Sequence, residues 1–208
     1  IYTDDIAFSS SNLINKYMPL LDREASEYLS GFSQRFTMDQ VLSYLNGAQS
    51  LKVLVVGEAI IDEYVYCEMM GKSSKEPVLA ARYTSSDKFA GGILAVANHV
   101  GNFSDDVGIA TMLGVHQSQE DFVRAETNAR VDLLCHKNQS PTIVKRRFVD
   151  SYLLQKLFEV YEMNDSALDP SQNQQLCATL EEILPRYDVV VVADYGHGML
   201  TPEAADVL

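Results

Sequence analysis

Leu51-Lys52-Val53-Leu54-Val55-Val56-Gly57-Glu58-Ala59-Ile60-Ile61-Asp62-Glu63-Tyr64 decides the fold of this 208-residue chain. Leu51 to Val56 is an apolar, β-branched run without alternation, closed by Gly57. Such a run reads as a strand buried on both faces of a parallel sheet. Val107 to Met112 repeats the pattern up to Gly114, Val131 to His136 is a further strand, and Val189 to Ala193 is the clearest buried strand. Helices fall between them. Gly91-Gly92 opens one through Ile93, Leu94, Ala97 and Val100, and Glu120 to Glu126 forms another. Asp169-Pro170 starts a third, with proline at the first helical position, and Thr201-Pro202 starts a fourth. Strand and helix alternate, so the class is α/β with a mostly parallel sheet.

Two segments break that rhythm. Tyr64 to Tyr66 and Val78 to Tyr83 read as short, half-exposed strands around a Gly71-to-Pro77 loop. Thr142 to Val149 and Leu153 to Met163 read as an antiparallel pair. Residues 1–50 are choppier. Ser9 to Asn12 caps a short helix ending near Pro19, a polar helix covers Glu24 to Leu29, and Thr37 with Gln40 forms a capping box for a helix stopped by Gly47. These helices carry little apolar surface, so residues 1–50 read as a linker or the tail of a preceding domain, and residues 51–208 as the main domain.

The net charge of −13 argues against a nucleic-acid partner, since a phosphate backbone would be repelled. No apolar run approaches the length needed to cross a membrane. Cys67, Cys135 and Cys177 are widely spaced, with no C-x-x-C, which fits a reducing cytoplasm. The first residues, Ile1-Tyr2-Thr3-Asp4-Asp5, resemble neither an initiator methionine nor a signal segment.

Ligands of an open α/β sheet gather at the carboxyl ends of its strands, and four motifs fall there. In V-V-G-E-A-I-I-D-E-Y (55–64), the Asp62 carboxylate can accept two hydroxyl protons at once; a solvated loop acid reads the same. In F-A-G-G-I-L-A-V-A-N (89–98), Gly91 and Gly92 let a ligand approach a helix start, although a plain strand–helix junction also uses glycines. In S-P-T-I-V-K-R-R-F-V-D (140–150), Lys145 and Arg147 share strand parity and can face a phosphate, while Arg146 points away; an edge strand guarded by charge looks similar. The fourth is V-V-V-V-A-D-Y-G-H-G-M-L-T (189–201), with Asp194 just past the strand.

In order and spacing these four pieces resemble the first half of a sugar kinase of the ribokinase (PfkB-type) family, nearest to the heptose-phosphate kinases. The resemblance implies a ribokinase-like three-layer sandwich with a small β lid. It also implies a sugar or sugar-phosphate substrate held by Asp62, Gly91, Gly92, Asn98, Lys145, Arg147 and Asp194. Ala95 stands where the family has asparagine, with Asn98 one turn on, and His197 replaces the usual lysine. The family's G-x-G-D motif, with its catalytic aspartate, does not occur in residues 1–208, so no residue here is assigned to catalysis. ATP and Mg²⁺ are expected mainly on a following half, and the resemblance also implies a homodimer through the lid. Tyr2 to Asp5 and Phe8 to Ile14 resemble the end of cytidylyltransferase-like nucleotidyltransferases, a domain known fused to such kinases. Two other classes stay open: a nucleotidyltransferase of which this is the tail, and a non-catalytic sugar-binding or assembly module.

Overall fold

The computed structural model describes residues 21–208. The helix expected from Ser9 to Pro19 and the nucleotidyltransferase-like stretch at residues 2–14 lie outside the described residues. The chain divides between Asn46 and Gly47. Before that boundary, α1 (Arg23–Arg35) is capped by Asp22, whose Oδ1 accepts from the Ala25 N–H at 2.8 Å. At the start of α2 (Met38–Ala48), the Thr37 N–H donates to Gln40 Oε1 and the Gln40 N–H to Thr37 Oγ1, the reciprocal pair of a capping box. Neither helix buries a residue.

The main unit is built on β1 (Lys52–Lys72), a strand of 21 residues. Its first part pairs in parallel with β3 (Asp106–His116) on one side and β7 (Val189–Ala193) on the other. β4 (Arg130–Pro141) extends that sheet beyond β3. Its second part pairs antiparallel with β2 (Leu79–Gly92) and in parallel with β5 (Ile143–Asp150). β6 (Lys156–Glu162) closes this lid sheet, antiparallel to β5 as expected.

Alternation along β1 sorts the core. Val53 and Val55 pack with Ile93, Leu94 and Ala97 of α3 (Ile93–Val100) and Val123 of α4 (Glu120–Glu126). Leu54 and Val56 pack with Leu176, Leu180 and Ile183 of α5 (Pro170–Ile183) and Ala204 of α6 (Pro202–Val207). Helices therefore cover both sides of the sheet, the three-layer arrangement expected.

Three expectations are corrected. Gly57 does not close the first strand, because β1 runs on unbroken into the lid and takes in Tyr64 to Tyr66. A Cβ at Gly57 would strike the Ala193 carbonyl, so this glycine serves the close passage of β7 and not a turn. β2 is longer than Val78 to Tyr83 and continues to the glycine pair. β7 is not buried on both faces: among the described residues it pairs with β1 alone, and Val189 and Val192 are exposed. An all-valine run signals apolar burial in a strand but not which edge is covered.

At the amino ends of the strands, Tyr187 donates its phenol proton to Asp132 and accepts from Arg130 at 3.0 Å. Arg130 also donates to Asp132 at 2.8 Å and to Asp106 at 2.9 Å, tying three elements. Burial, then the bond to Asp132, pushes the Tyr187 phenol up to about 12. A phenol raised above its ordinary value of about 10 stabilises the fold fully below pH 10, and that contribution is lost as pH rises through about 12. Tyr187→Phe is therefore expected to lower stability by about 1–2 kcal/mol at pH 8. Thermal melts from pH 8 to 12 check this: the gap between wild type and variant narrows across pH 10–12, and a gap that is constant or widens contradicts it.

Candidate functional site

Glu58 stands where the two halves of β1 meet, opposite Met112 of the central sheet and one residue before the pairing with β2 begins. It is fully buried. Its carboxylate accepts from the backbone N–H groups of Tyr195 at 3.0 Å, His197 at 3.2 Å and Met199 at 3.3 Å. A buried charge needs such partners, because unpaired it would cost several kcal/mol. From the next layer, the buried Lys137 ammonium donates to the carbonyls of Asn164 and Ser166, and to that of His197 at 3.1 Å. Burial lowers the Lys137 ammonium below the usual lysine range. An anion and a cation thus hold the loop after β7 by its backbone, one from each side of the peptide chemistry.

Four residues beyond Glu58, about 13 Å along the strand, Asp62 enters the lid. Register places it beside Phe89 of β2 and Lys145 of β5, with Tyr64 beside Arg147. A Cβ at Gly91 would collide with the Asp62 carboxylate, so glycine here leaves that carboxylate its present position. At Gly92, φ is +56° and a Cβ would meet the Glu58 carbonyl, so the pair seats β2 against β1 before α3 begins. Asp62, Tyr64, Tyr66 and Phe89 line a shallow open cavity of about 360 Å³. Tyr64 and Phe89 meet edge to face, with centroids 5.7 Å apart.

Arg147 donates to Asp62 through Nη1, places Nε 3.3 Å from Glu159 Oε1, and lies 5.5 Å over the Tyr64 ring. The bond to Asp62 raises the guanidinium further above the arginine range. Glu159 also accepts from the Tyr161 hydroxyl, which holds its carboxyl below the usual range and the phenol above its own. Lys145 has no carboxylate within ion-pair distance among the described residues, and its ammonium sits 5.7 Å over the Tyr161 ring. Arg146 faces the other way, as its parity required, and pairs with Glu63 and Glu162.

The structure thus brings Asp62, Lys145 and Arg147 to one face of the lid, with Gly91 against the Asp62 carboxylate, whereas Gly92 pairs with Ala59 at the core side of the lid's root. Two other expected site residues stand apart. Asn98 donates to the Glu126 carbonyl at 2.9 Å and accepts from the Asn128 N–H at 3.1 Å, tying α3 to the loop before β4 at the amino ends of the strands. Both its polar atoms are engaged there, so it is left out of the site. Asp194 accepts from the Gly196 N–H at 2.8 Å and stabilises its own loop, with no contact to Asp62. His197, which replaces the usual lysine, is buried with Nδ1 2.7 Å from Asp165 Oδ1. Thr142 of the P-T pair is also structural: its hydroxyl donates to the Ser118 carbonyl and accepts from the Gly114 N–H.

Sequence reasoning missed Glu58, Lys137 and Glu159. A lone acid inside an apolar strand run was the available signal for Glu58, because burial there demands partners. Nothing local marks Glu159, whose partner Arg147 lies opposite it on the neighbouring strand β5.

No family model matches the chain. Curated relatives are named bifunctional protein HldE: one from Campylobacter jejuni subsp. doylei is 26% identical over 160 residues, and one from Marinomonas sp. is 28% identical over 159. They cover 77% and 76% of this chain, and the chain spans about a third of their length, 33% in each case. Among solved structures, a putative phosphofructokinase from Staphylococcus aureus covers 74% of the chain and is itself covered for 49%, at 14% identity and TM-score 0.54. The Escherichia coli phosphofructokinase-2 bound to fructose-6-phosphate covers 74% and is covered for 47%, at 16% identity and TM-score 0.51. The fold is ribokinase-like. In sequence, the chain is similar to the HldE proteins over about three quarters of its length.

Glu58→Gln exchanges an acceptor oxygen for a donor facing backbone N–H groups, and is expected to cost about 2–5 kcal/mol. Urea unfolding measures it, with hydrogen exchange at Tyr195, His197 and Met199 rising selectively. A variant as stable as wild type, with unchanged exchange, contradicts the role given to Glu58.

Proposed function

We propose that this chain is the sugar-binding part of an ATP-dependent carbohydrate kinase whose substrate is a sugar phosphate of the heptose 7-phosphate type. The observation that carries the reading is the convergence of Asp62, Gly91 and two cations of β5 on one face of the lid, beside an open cavity lined by Tyr64, Tyr66 and Phe89. Asp62 is an acceptor suited to sugar hydroxyls, aromatic ring faces suit the apolar C–H faces of a sugar ring, and lysine suits a phosphate. The name of the HldE relatives and the fructose-6-phosphate complex of a structural neighbour support the same class.

In this reading the γ-phosphoryl group of ATP passes to a sugar hydroxyl, and the residues described here bind and orient the sugar. A Mg²⁺ ion would neutralise phosphate charge in that reaction. Among the described residues no three His, Cys, Asp or Glu side chains converge as a metal site, so none is assigned to it. The general base is likewise assigned to none of residues 1–208, and this stretch alone is expected to transfer no phosphate. We further propose a cytoplasmic enzyme, joined to a nucleotidyltransferase domain, that dimerises through its lid near Tyr64, Tyr66, Leu79 and Tyr83. Leu79 and Tyr83 are well exposed, and pairing two lids would cover them. Among the described residues no helix is long and apolar enough to cross a membrane.

The test uses the full-length parent with ATP, Mg²⁺ and a panel of sugar 7-phosphates, reading ADP release. Turnover with a heptose 7-phosphate is expected, and Asp62→Ala is expected to weaken sugar binding by about 1–3 kcal/mol. No turnover with any sugar phosphate overturns the kinase reading. For the dimer, sedimentation of the parent at micromolar concentration is expected to show two copies, and Leu79→Glu to shift it toward one; a monomer insensitive to that change overturns the lid contact.

A further inference from the structure

β5 carries two cations on the face that the proposed function gives to the substrate, and their surroundings differ. The Arg147 guanidinium is engaged twice, by Asp62 from β1 and by Glu159 from β6, and its flat face lies over Tyr64. Counting Asp62, Arg147 and Glu159 as charged, this chain of three side chains across three strands carries a net charge of −1. Lys156, 3.9 Å from Glu159, is well exposed and screens the group weakly. A phosphate dianion arriving at Arg147 would meet two carboxylates before it gained a cation. The side chain of Arg147 is also only 17% exposed, against 28% for Asp62, so the acid has more access to a ligand than its partner.

Lys145 is the opposite case. Its Cα faces Asp62 on one side and Tyr161 on the other. Even so, its ammonium has no carboxylate partner among the described residues and rests only against the Tyr161 ring. A lysine ammonium on a flexible stem is a mobile point charge, which suits an anion whose position is set by the rest of the ligand. An arginine pinned by two carboxylates is instead a fixed brace.

We propose that Lys145 alone carries the selectivity for a phosphorylated sugar, and that Arg147, braced by Glu159, is a positioning residue that aims the Asp62 carboxylate at the sugar hydroxyls. This rests on the kinase reading above. Glu159 then acts on sugar binding without touching the ligand, by way of Arg147 and Asp62. Loss of Glu159 frees Arg147 to bind Asp62 more tightly and to occupy its acceptor oxygens. Loss of Arg147 lets Asp62 swing from its register.

The experiment is calorimetric binding of a sugar 7-phosphate and of the same sugar without phosphate to the full-length parent. The variants are Lys145→Gln, Arg147→Lys, Glu159→Gln and Asp62→Asn, plus the double variant Asp62→Asn/Glu159→Gln, each checked for an unchanged melting profile. In Lys145→Gln the ratio of the two affinities is expected to collapse by about ten- to a hundredfold, the worth of one charged hydrogen-bond partner. In Arg147→Lys and Glu159→Gln both affinities fall by a common factor, and the ratio stays at the wild-type value. Glu159→Gln added to Asp62→Asn causes no further loss, because its effect runs through that carboxylate. A ratio that collapses in Arg147→Lys and survives in Lys145→Gln overturns the inference, as does full additivity of Asp62→Asn and Glu159→Gln. A wild-type parent that binds neither sugar overturns the kinase reading itself, an outcome distinct from a wild type that binds with the wrong pattern among its variants.

Discussion

One buried carboxylate holds the architecture together. Glu58 sits at the joint of β1, where the strand leaves the central sheet and enters the lid, and it collects three backbone N–H groups from the loop after β7. The loop cannot satisfy those donors itself, and the carboxylate cannot remain charged and buried without them. Lys137 completes the arrangement from the carbonyl side, so that the backbone of His197 is held at its N–H by Glu58 and at its C=O by Lys137. The end of the central sheet and the base of the lid are therefore fixed to each other by charge-assisted hydrogen bonds and not by apolar packing alone. Everything proposed for Asp62 assumes a lid whose root does not move, and Glu58 supplies that root.

Much of this was legible in the sequence, for reasons that lie within a few residues of each feature. Unbroken apolar runs gave the parallel strands, the Thr37–Gln40 and Asp169–Pro170 signals gave helix starts, and strand parity placed Lys145 with Arg147 and against Arg146. The failures were of another kind. Gly57 looked like a stop because a glycine after an apolar run usually is one. Here it admits β7, a neighbour more than a hundred residues away, and the strand continues. Asn98 looked like a shifted ligand because it lies one turn along the helix from Ala95. Its amide instead joins α3 to a loop at the far end of the sheet, a contact that helical periodicity does not encode.

The candidate site shows the same division. Residue types and their order pointed to Asp62, the glycine pair and the β5 cations, and the structure sets Asp62, Gly91, Lys145 and Arg147 on one face, with Gly92 turned to the core side. Which cation is free was not readable, because it depends on Glu159, a residue whose strand joins the sheet only through β5. Charge compensation across three strands sets two similar basic residues apart, one without a carboxylate partner among the described residues, the other paired with two. Glycine at 91 belongs to the same economy of space, since the volume a side chain would need is filled by the Asp62 carboxylate.

The central claim is that the lid face around Asp62 receives a phosphorylated sugar. A crystal structure of the full-length parent, grown with a sugar 7-phosphate, addresses it most directly. The account predicts sugar hydroxyls within hydrogen-bond reach of the Asp62 carboxylate, the ring against Tyr64 and Phe89, and the phosphate at Lys145 with Arg147 still paired to Asp62. A sugar phosphate bound away from this face, or one whose phosphate takes Arg147 from Asp62 while Lys145 stays free, would contradict it.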